Sequence, residues 1–208
     1  MVRLYDYFRS SAAYRVRIAL NLKGYDYERI PVNLLEDGQK NNEYRARNPQ
    51  GLVPTLEVSG GDLIQSLAIV DYLEEACPVP SFLPHDLVAR AQVRAMAQLV
   101  ACDIHPLNNL RVLKYLKHDL GHPQDEIDAW YAHWVREGFA ALEALAIRYG
   151  GTYLSGDLPG VADICLVPQM FNARRFDIPL DAYPNLVAYD AKANQLEAFQ
   201  AAHPDRNS

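Results

Sequence analysis

Three prolines in seven residues, Pro78-Val79-Pro80-Ser81-Phe82-Leu83-Pro84, divide this chain into two parts of different character. Proline fixes φ and lacks an N–H, so the run reads as a stiff connection at which regular structure stops. Before it, short apolar and aromatic runs alternate with helical patterns. Strands are expected at Val2–Tyr5, Tyr27–Val32, Thr55–Val58 and Leu63–Ile64, the last two joined as a hairpin by Ser59-Gly60-Gly61-Asp62. Helices are expected over Ala12–Lys23, Asn42–Arg47 and Ser66–Ala76. Beyond the prolines nearly everything is helical, with stretches at Asp86–Ile104, Leu107–His118, Pro123–Tyr149, Val161–Ala173 and Asn185–Gln200. The pattern predicts an α/β domain over 1–77, a linker over 78–84 and an all-α domain over 85–208. The first domain's order, β-α-β-α-β-β-α, is that of a thioredoxin-like fold.

Composition narrows the function. The 208 residues are 50% hydrophobic and 22% charged, enough for one large or two small cores. A net charge of −6 argues against nucleic acid or an anionic membrane as partner. No run of about 18 apolar residues appears, nor a basic and then apolar leader. Cys77, Cys102 and Cys165 are far apart, odd in number and outside any CxxC, which suits a reducing cytoplasm and offers no cysteine metal site. Each is expected to be a small buried apolar side chain.

Three places could hold an anion or a peptide. Ser10 and Ser11 lie between the first strand and a helix whose Ala12, Ala13, Val16, Ala19 and Leu20 form one apolar stripe, with Gly24 at its C-terminal cap. Hydroxyls and free amides at that positive helix end suit an anion such as a thiolate. Val53-Pro54 opens a strand; in a thioredoxin-like domain a cis proline there would expose the Val53 backbone to an extended peptide. Ser66, after Gln65, is placed to cap the helix that follows and to offer its first amides to a carboxylate. Each has a plain structural alternative, an ordinary cap or an ordinary trans proline. Their joint occurrence is what points to a ligand.

The chain resembles the glutathione transferases, and within them the zeta class of maleylacetoacetate and maleylpyruvate isomerases. The resemblance runs through Tyr7-Phe8-Arg9-Ser10-Ser11, Arg15-Val16-Arg17-Ile18-Ala19-Leu20, Asn48-Pro49-Gln50-Gly51-Leu52-Val53-Pro54-Thr55-Leu56, Gln65-Ser66-Leu67-Ala68-Ile69, Asn109-Leu110, Ala162-Asp163 and Leu166-Val167-Pro168-Gln169. It implies the glutathione transferase fold, glutathione as cofactor and a homodimer. By resemblance Ser11 is the catalytic serine, donating a hydrogen bond that favours the glutathione thiolate, and Ser10 assists it or caps the helix. No GxSxG elbow is present to make a serine the nucleophile. Ala12 stands where the family usually has cysteine, and Tyr14 where an indole is usual.

The resemblance also assigns the cofactor and substrate contacts. Glutathione lies along Val53, with its γ-glutamyl end at Gln65 and Ser66 and its ammonium at Asp103 of a second subunit; His105, Asn109 and Arg111 complete the contacts. Arg9, Arg111 and Arg175 are the cations for a small unsaturated diacid, since guanidinium suits carboxylates. Arg174, about 100° round the helix, points elsewhere. Gly160 and Asp163 are read as helix capping, and Trp130, Trp134 and Phe139 as core or interface. The resulting expectation is a cytoplasmic glutathione-dependent cis–trans isomerase of maleylpyruvate, or of maleylacetoacetate. Its alternatives are a glutathione-consuming transferase or dehalogenase of α-halo acids and a non-catalytic binding module.

Overall fold

The computed structural model describes residues 2–207. Two compact units emerge: one runs as far as Ser81 and includes the residues from Asn194 onward, and the other spans Phe82–Ala193. The C-terminal segment, grouped by its helical pattern with the second domain, thus packs within the first unit.

The first unit is built on a four-stranded mixed sheet in the order β2-β1-β3-β4. Strand β1 (Val2–Asp6) pairs in parallel with β2 (Tyr27–Pro31) and antiparallel with β3 (Thr55–Val58), which forms a hairpin with β4 (Gly61–Ile64). Helices α1 (Ser11–Leu22), α2 (Asn42–Arg47) and α3 (Ser66–Ala76) alternate with the strands as expected. Gly24 follows α1 at φ +68°, the left-handed position glycine takes most easily. The start of the linker is tied to this unit: buried Lys23 donates from Nζ to Glu74 Oε2 at 2.8 Å and to the Pro80 carbonyl.

Helix α1 departs from its expected single apolar stripe. Residues 13–20 are all buried, with Arg15 1% and Arg17 0% exposed, because α3 and the C-terminal helix α9 (Glu197–Ala202) both pack on α1. Two cations therefore lie inside the unit and need partners, since an unpaired buried charge costs several kcal/mol.

The second unit is helical: α4 (Leu87–Gln98), α5 (Leu110–His118), α6 (Gln124–Tyr149), α7 (Val161–Arg175) and α8 (Pro184–Ala193). The helix expected over Asp86–Ile104 changes pitch, its last residues Leu99–Ile104 forming a π-helical turn closed by His105 N–H to the Val100 carbonyl at 3.0 Å. That turn sits tightly on α6, where a Cβ on Gly138 would lie 2.2 Å from Ile104 Cγ1. The helix expected over Asn185–Gln200 is two helices, α8 and α9, broken where the chain leaves the second unit.

Helix α7 is capped both from outside and by its own Asp163, as the sequence reading expects of that residue. Gly160 has no side chain to bond the first amides, and the Ser155 hydroxyl accepts from Ala162 N–H at 3.0 Å in its place. Asp163 accepts from the N–H groups of Gly160, Leu154 and Ser155 at 3.0, 2.9 and 3.1 Å, binding the preceding loop to the helix start. Of the cysteines, only Cys165 is buried as expected; Cys77 is half-buried and Cys102 is exposed on the π-helical turn, where the outward face of that turn leaves it.

Candidate functional site

In the first unit the serine turn follows β1 directly. Ser10 caps α1, its hydroxyl accepting from Ala13 N–H at 3.2 Å, while Ser11 is the first helical residue and only 5% exposed. One side chain therefore satisfies the helix and the next is held at the positive end of a 12-residue helix. Arg9, just before them, is exposed, with its guanidinium 5.0 Å from the Phe8 ring centroid.

Ser66 also differs from its expected capping role. Gln65 occupies the cap position and Ser66 is the first residue of α3, its hydroxyl accepting from Arg15 Nη1 at 3.3 Å. Arg15 lies one turn along α1 from Ser11, so this bond ties the first turns of α1 to the start of α3 through the interior. Gln65 adopts φ +69°, a left-handed conformation that costs a non-glycine residue about 1–3 kcal/mol and that clusters at ligand sites. Its amide donates to Gln50 Oε1 at 2.6 Å. Val53 precedes a cis peptide bond to Pro54, as expected, and is buried against Val32 and Tyr44. The carbonyl before it, of Leu52, accepts from the Tyr44 hydroxyl at 2.6 Å and Asn48 Nδ2 at 2.7 Å, which fixes the approach to Val53.

In the second unit the π-helical turn leads into the other candidates. Asp103 is exposed, His105 is half-buried, and Asn109 caps α5 by accepting from Arg111 N–H at 3.1 Å. Helix α6 clamps this stretch: Trp130 Nε1 donates to the Leu107 carbonyl at 2.9 Å, and Asn108 Nδ2 donates to the Tyr131 carbonyl at 3.2 Å. Tyr131 is buried and its ring stacks on Phe176 with centroids 3.8 Å apart. Burial pushes its phenol up to about 12, against the opposing field of Arg175. Arg175 ends α7, exposed, 5.0 Å from the Phe176 ring centroid.

Arg3, Arg17, Arg29, Arg47, Arg174 and Arg206 are paired with carboxylates, whereas Arg9, Arg111 and Arg175 are among the arginines that form no ion pair among the described residues. Arg174 Nη2 meets Asp190 Oδ2 at 2.6 Å, so the neighbour of Arg175 is committed to structure. Sequence reasoning missed Arg15, Arg17 and Tyr131. The only local signal was two charges inside a run that is otherwise apolar.

A thioredoxin-like sheet with an added all-helical unit, and serines at the starts of α1 and α3, define the glutathione transferase class. A family model for the glutathione S-transferase N-terminal domain matches residues 4–81. The maleylacetoacetate isomerase of Pseudomonas aeruginosa is 48% identical over 206 residues, covering 98% of this chain and 96% of that one. A holo structure of maleyl pyruvate isomerase, described as a bacterial zeta-class glutathione S-transferase, is 45% identical with a TM-score of 0.96, covering 98% of this chain and 97% of that one. A maleylacetoacetate isomerase from Methylobacterium extorquens AM1, with bound malonate and glutathione, is 39% identical with a TM-score of 0.95 over 98% and 97% of the two chains. This chain belongs to the zeta-class glutathione transferase family of maleylacetoacetate and maleylpyruvate isomerases.

Proposed function

We propose that this chain is a glutathione-dependent cis–trans isomerase of small maleyl keto-diacids, with maleylpyruvate preferred over maleylacetoacetate. The observation that carries the reading is a pair of buried hydroxyls, Ser11 and Ser66, each on the first residue of a helix, α1 and α3, with the buried Arg15 of α1 donating to the second of them. The first unit fits glutathione chemically: a hydroxyl at a positive helix end for sulfur, the Val53 backbone before its cis proline for the peptide, and a second helix start for a carboxylate. Bound glutathione supplies a thiolate, a reversible nucleophile for the maleyl double bond whose addition permits rotation about that bond.

The chain's residues do the rest. Ser11 donates to the sulfur and, with the α1 amides, favours its ionised form; Ser10 holds the helix start that orients it. Val53 pairs with the peptide backbone, and Gln65 and Ser66 take the γ-glutamyl end. Asp103 from a second subunit accepts from the ammonium, and His105, Asn109 and Arg111 add contacts. Arg9, Arg111 and Arg175, each without a competing carboxylate, neutralise the substrate's carboxylates and the charge that gathers on its keto-acid oxygens. A relative with bound malonate and glutathione supports a dicarboxylate substrate. Arg111 in place of the family's frequent serine, and Ala12 in place of its cysteine, support maleylpyruvate.

Two chains are proposed to form a homodimer; the neighbouring exposed side chains Leu87 (79%) and Val88 (64%) at the start of α4 support it. Three free cysteines support a cytoplasmic setting, and no helix among the described residues is long and apolar enough to cross a membrane. The test follows isomerisation of maleylpyruvate and maleylacetoacetate while free thiol is titrated. Turnover at constant thiol, faster with maleylpyruvate, is the expected result. Stoichiometric loss of thiol would mean a consuming transferase or dehalogenase, and glutathione binding without turnover of either diacid would mean a binding module.

A further inference from the structure

Arg17 is the most completely engaged cation in the first unit, and none of the proposed chemistry explains why it is there. Its side chain is fully buried. Nη1 donates to both oxygens of Asp6 at 2.7 and 2.9 Å, Nη2 to the Phe8 carbonyl at 2.9 Å, and Nε to the Ala202 carbonyl at 2.9 Å. The three directions reach the end of β1, the turn that carries the serines and the last residue of α9. Phe8 stands three residues before Ser11, and the same turn has one further backbone tie, Ser10 N–H to the Tyr7 carbonyl at 2.8 Å. Above the guanidinium lies Tyr14, its ring centroid 5.2 Å away, one helical turn beyond Ser11.

Stability alone accounts poorly for this arrangement. Replacing a buried ion pair by apolar side chains of similar volume is often neutral or stabilising. A rigid planar fork that binds three segments at once instead fixes their relative geometry, which a lysine's single point charge cannot do. Geometry at this turn matters, because a hydrogen bond weakens steeply once its angle or length drifts. A misplacement of about 1 Å can cost about 10²-fold in rate.

We propose that Arg17 is a positioning residue: it holds the Phe8–Ser11 turn, and with it the Ser11 hydroxyl, in register for the glutathione sulfur, and ties that turn to α9. The proposal rests on the reading of Ser11 as the thiol's donor. Arg29 supplies an internal control. Its Nε donates to the same Asp6 at 2.8 Å and its Nη2 to the Asn207 carbonyl at 2.8 Å, and it makes no hydrogen bond to the serine turn.

The experiment compares Arg17→Lys, Arg29→Lys and Ser11→Ala, each as full-length protein saturated with glutathione. Thiolate absorbance is titrated, kcat and KM are measured with a maleyl diacid, and amide exchange is followed over Tyr7–Ala13. Arg17→Lys is expected to raise the thiol pKa by about one unit and to lower kcat about tenfold. It should change the KM for the maleyl diacid less than about threefold and speed exchange in the turn. Arg29→Lys should lower Tm and leave the thiol and the turn unchanged. If Ser11→Ala shifts the thiol and folded Arg17→Lys does not, Arg17 has no positioning role; if neither shifts it, the serine reading itself fails. Should lysine not be accommodated, Asp6→Asn, which keeps the shape and removes the charge holding Arg17, is read on the same scales. Wild-type titration and exchange there overturn the proposal.

Discussion

Sequence logic and tertiary structure make opposite forecasts for Gly160→Ser. Serine is a better helix cap than glycine by a few tenths of a kcal/mol, so local reasoning expects a small gain. The structure places a Cβ at this position 2.1 Å from the Phe82 carbonyl oxygen and 2.9 Å from Ser155 Cβ. Neither neighbour can simply turn aside. The Phe82 carbonyl accepts from Val161 N–H at 3.1 Å, and Ser155 already serves as the cap. Overpacking of this kind costs about 1–3 kcal/mol, and loss of the Val161 bond adds about 1 kcal/mol. The net loss is about 2–4 kcal/mol, which for a chain of this size lowers Tm by about 4–16 °C. Gly160→Ala isolates the steric part and should lose as much, whereas Ser155→Ala should cost only about 1 kcal/mol for its cap. Thermal and urea unfolding of the three variants measures this directly. A Gly160→Ser protein as stable as wild type would falsify the steric argument.

Arg175→Ala should lower kcat/KM for a maleyl diacid about 10²-fold and Arg175→Lys nearly as much, with glutathione affinity little changed. Arg174→Ala should leave kinetics intact and cost about 1–3 kcal/mol in urea unfolding, because it strips buried Asp190 of its cation; equal kinetic losses at both positions would place the substrate carboxylates elsewhere. Tyr131 titrates near 12 in the fold against 10.0 ordinarily, so the native state keeps a proton that the unfolded chain loses. Wild-type stability should therefore fall as pH rises from about 10 towards 12, and a Tyr131→Phe protein should fall less steeply; parallel curves would refute the burial argument. Sedimentation at micromolar concentration should give about twice the 23.4 kDa chain mass, and a fully active monomer would remove Asp103 from the cofactor contacts.

The strand β3 and helices α2 and α3 begin and end where the pattern puts them, at Thr55–Val58, Asn42–Arg47 and Ser66–Ala76. Their signals are local: Val-Pro-Thr opens the strand, Ser59-Gly60 turns it into a β4 that starts at Gly61 rather than at the expected Leu63, and apolar spacing carries the helix. Ser10 and Ser11 were legible for the same reason, since a serine pair between strand and helix has a short-range meaning. Their division of labour came only with the family resemblance, which left Ser10 either to assist or to cap, and the structure makes it the cap. Which hydroxyl caps the helix depends on backbone angles that are set when the turn is anchored.

The sequence by itself determined the alternation of elements, the change from mixed to helical character at the prolines, and the residues available for binding an anion. Tertiary structure decided what those residues do. Arg15 and Arg17 sit in one helix, yet among their partners are Ser66, 51 residues away, and the Ala202 carbonyl, 185 residues away, and no local pattern encodes such distances. The return of the C-terminal segment to the first unit buried the second face of α1, which turned two seemingly surface arginines into interior ones. Ser155 became the cap that Gly160 lacks because folding brought a loop carbonyl and a hydroxyl into the space a side chain would need. Periodicity reports which faces are apolar; only packing reports what lies against them, and a buried charge or an orphan amide is settled by whatever group arrives there.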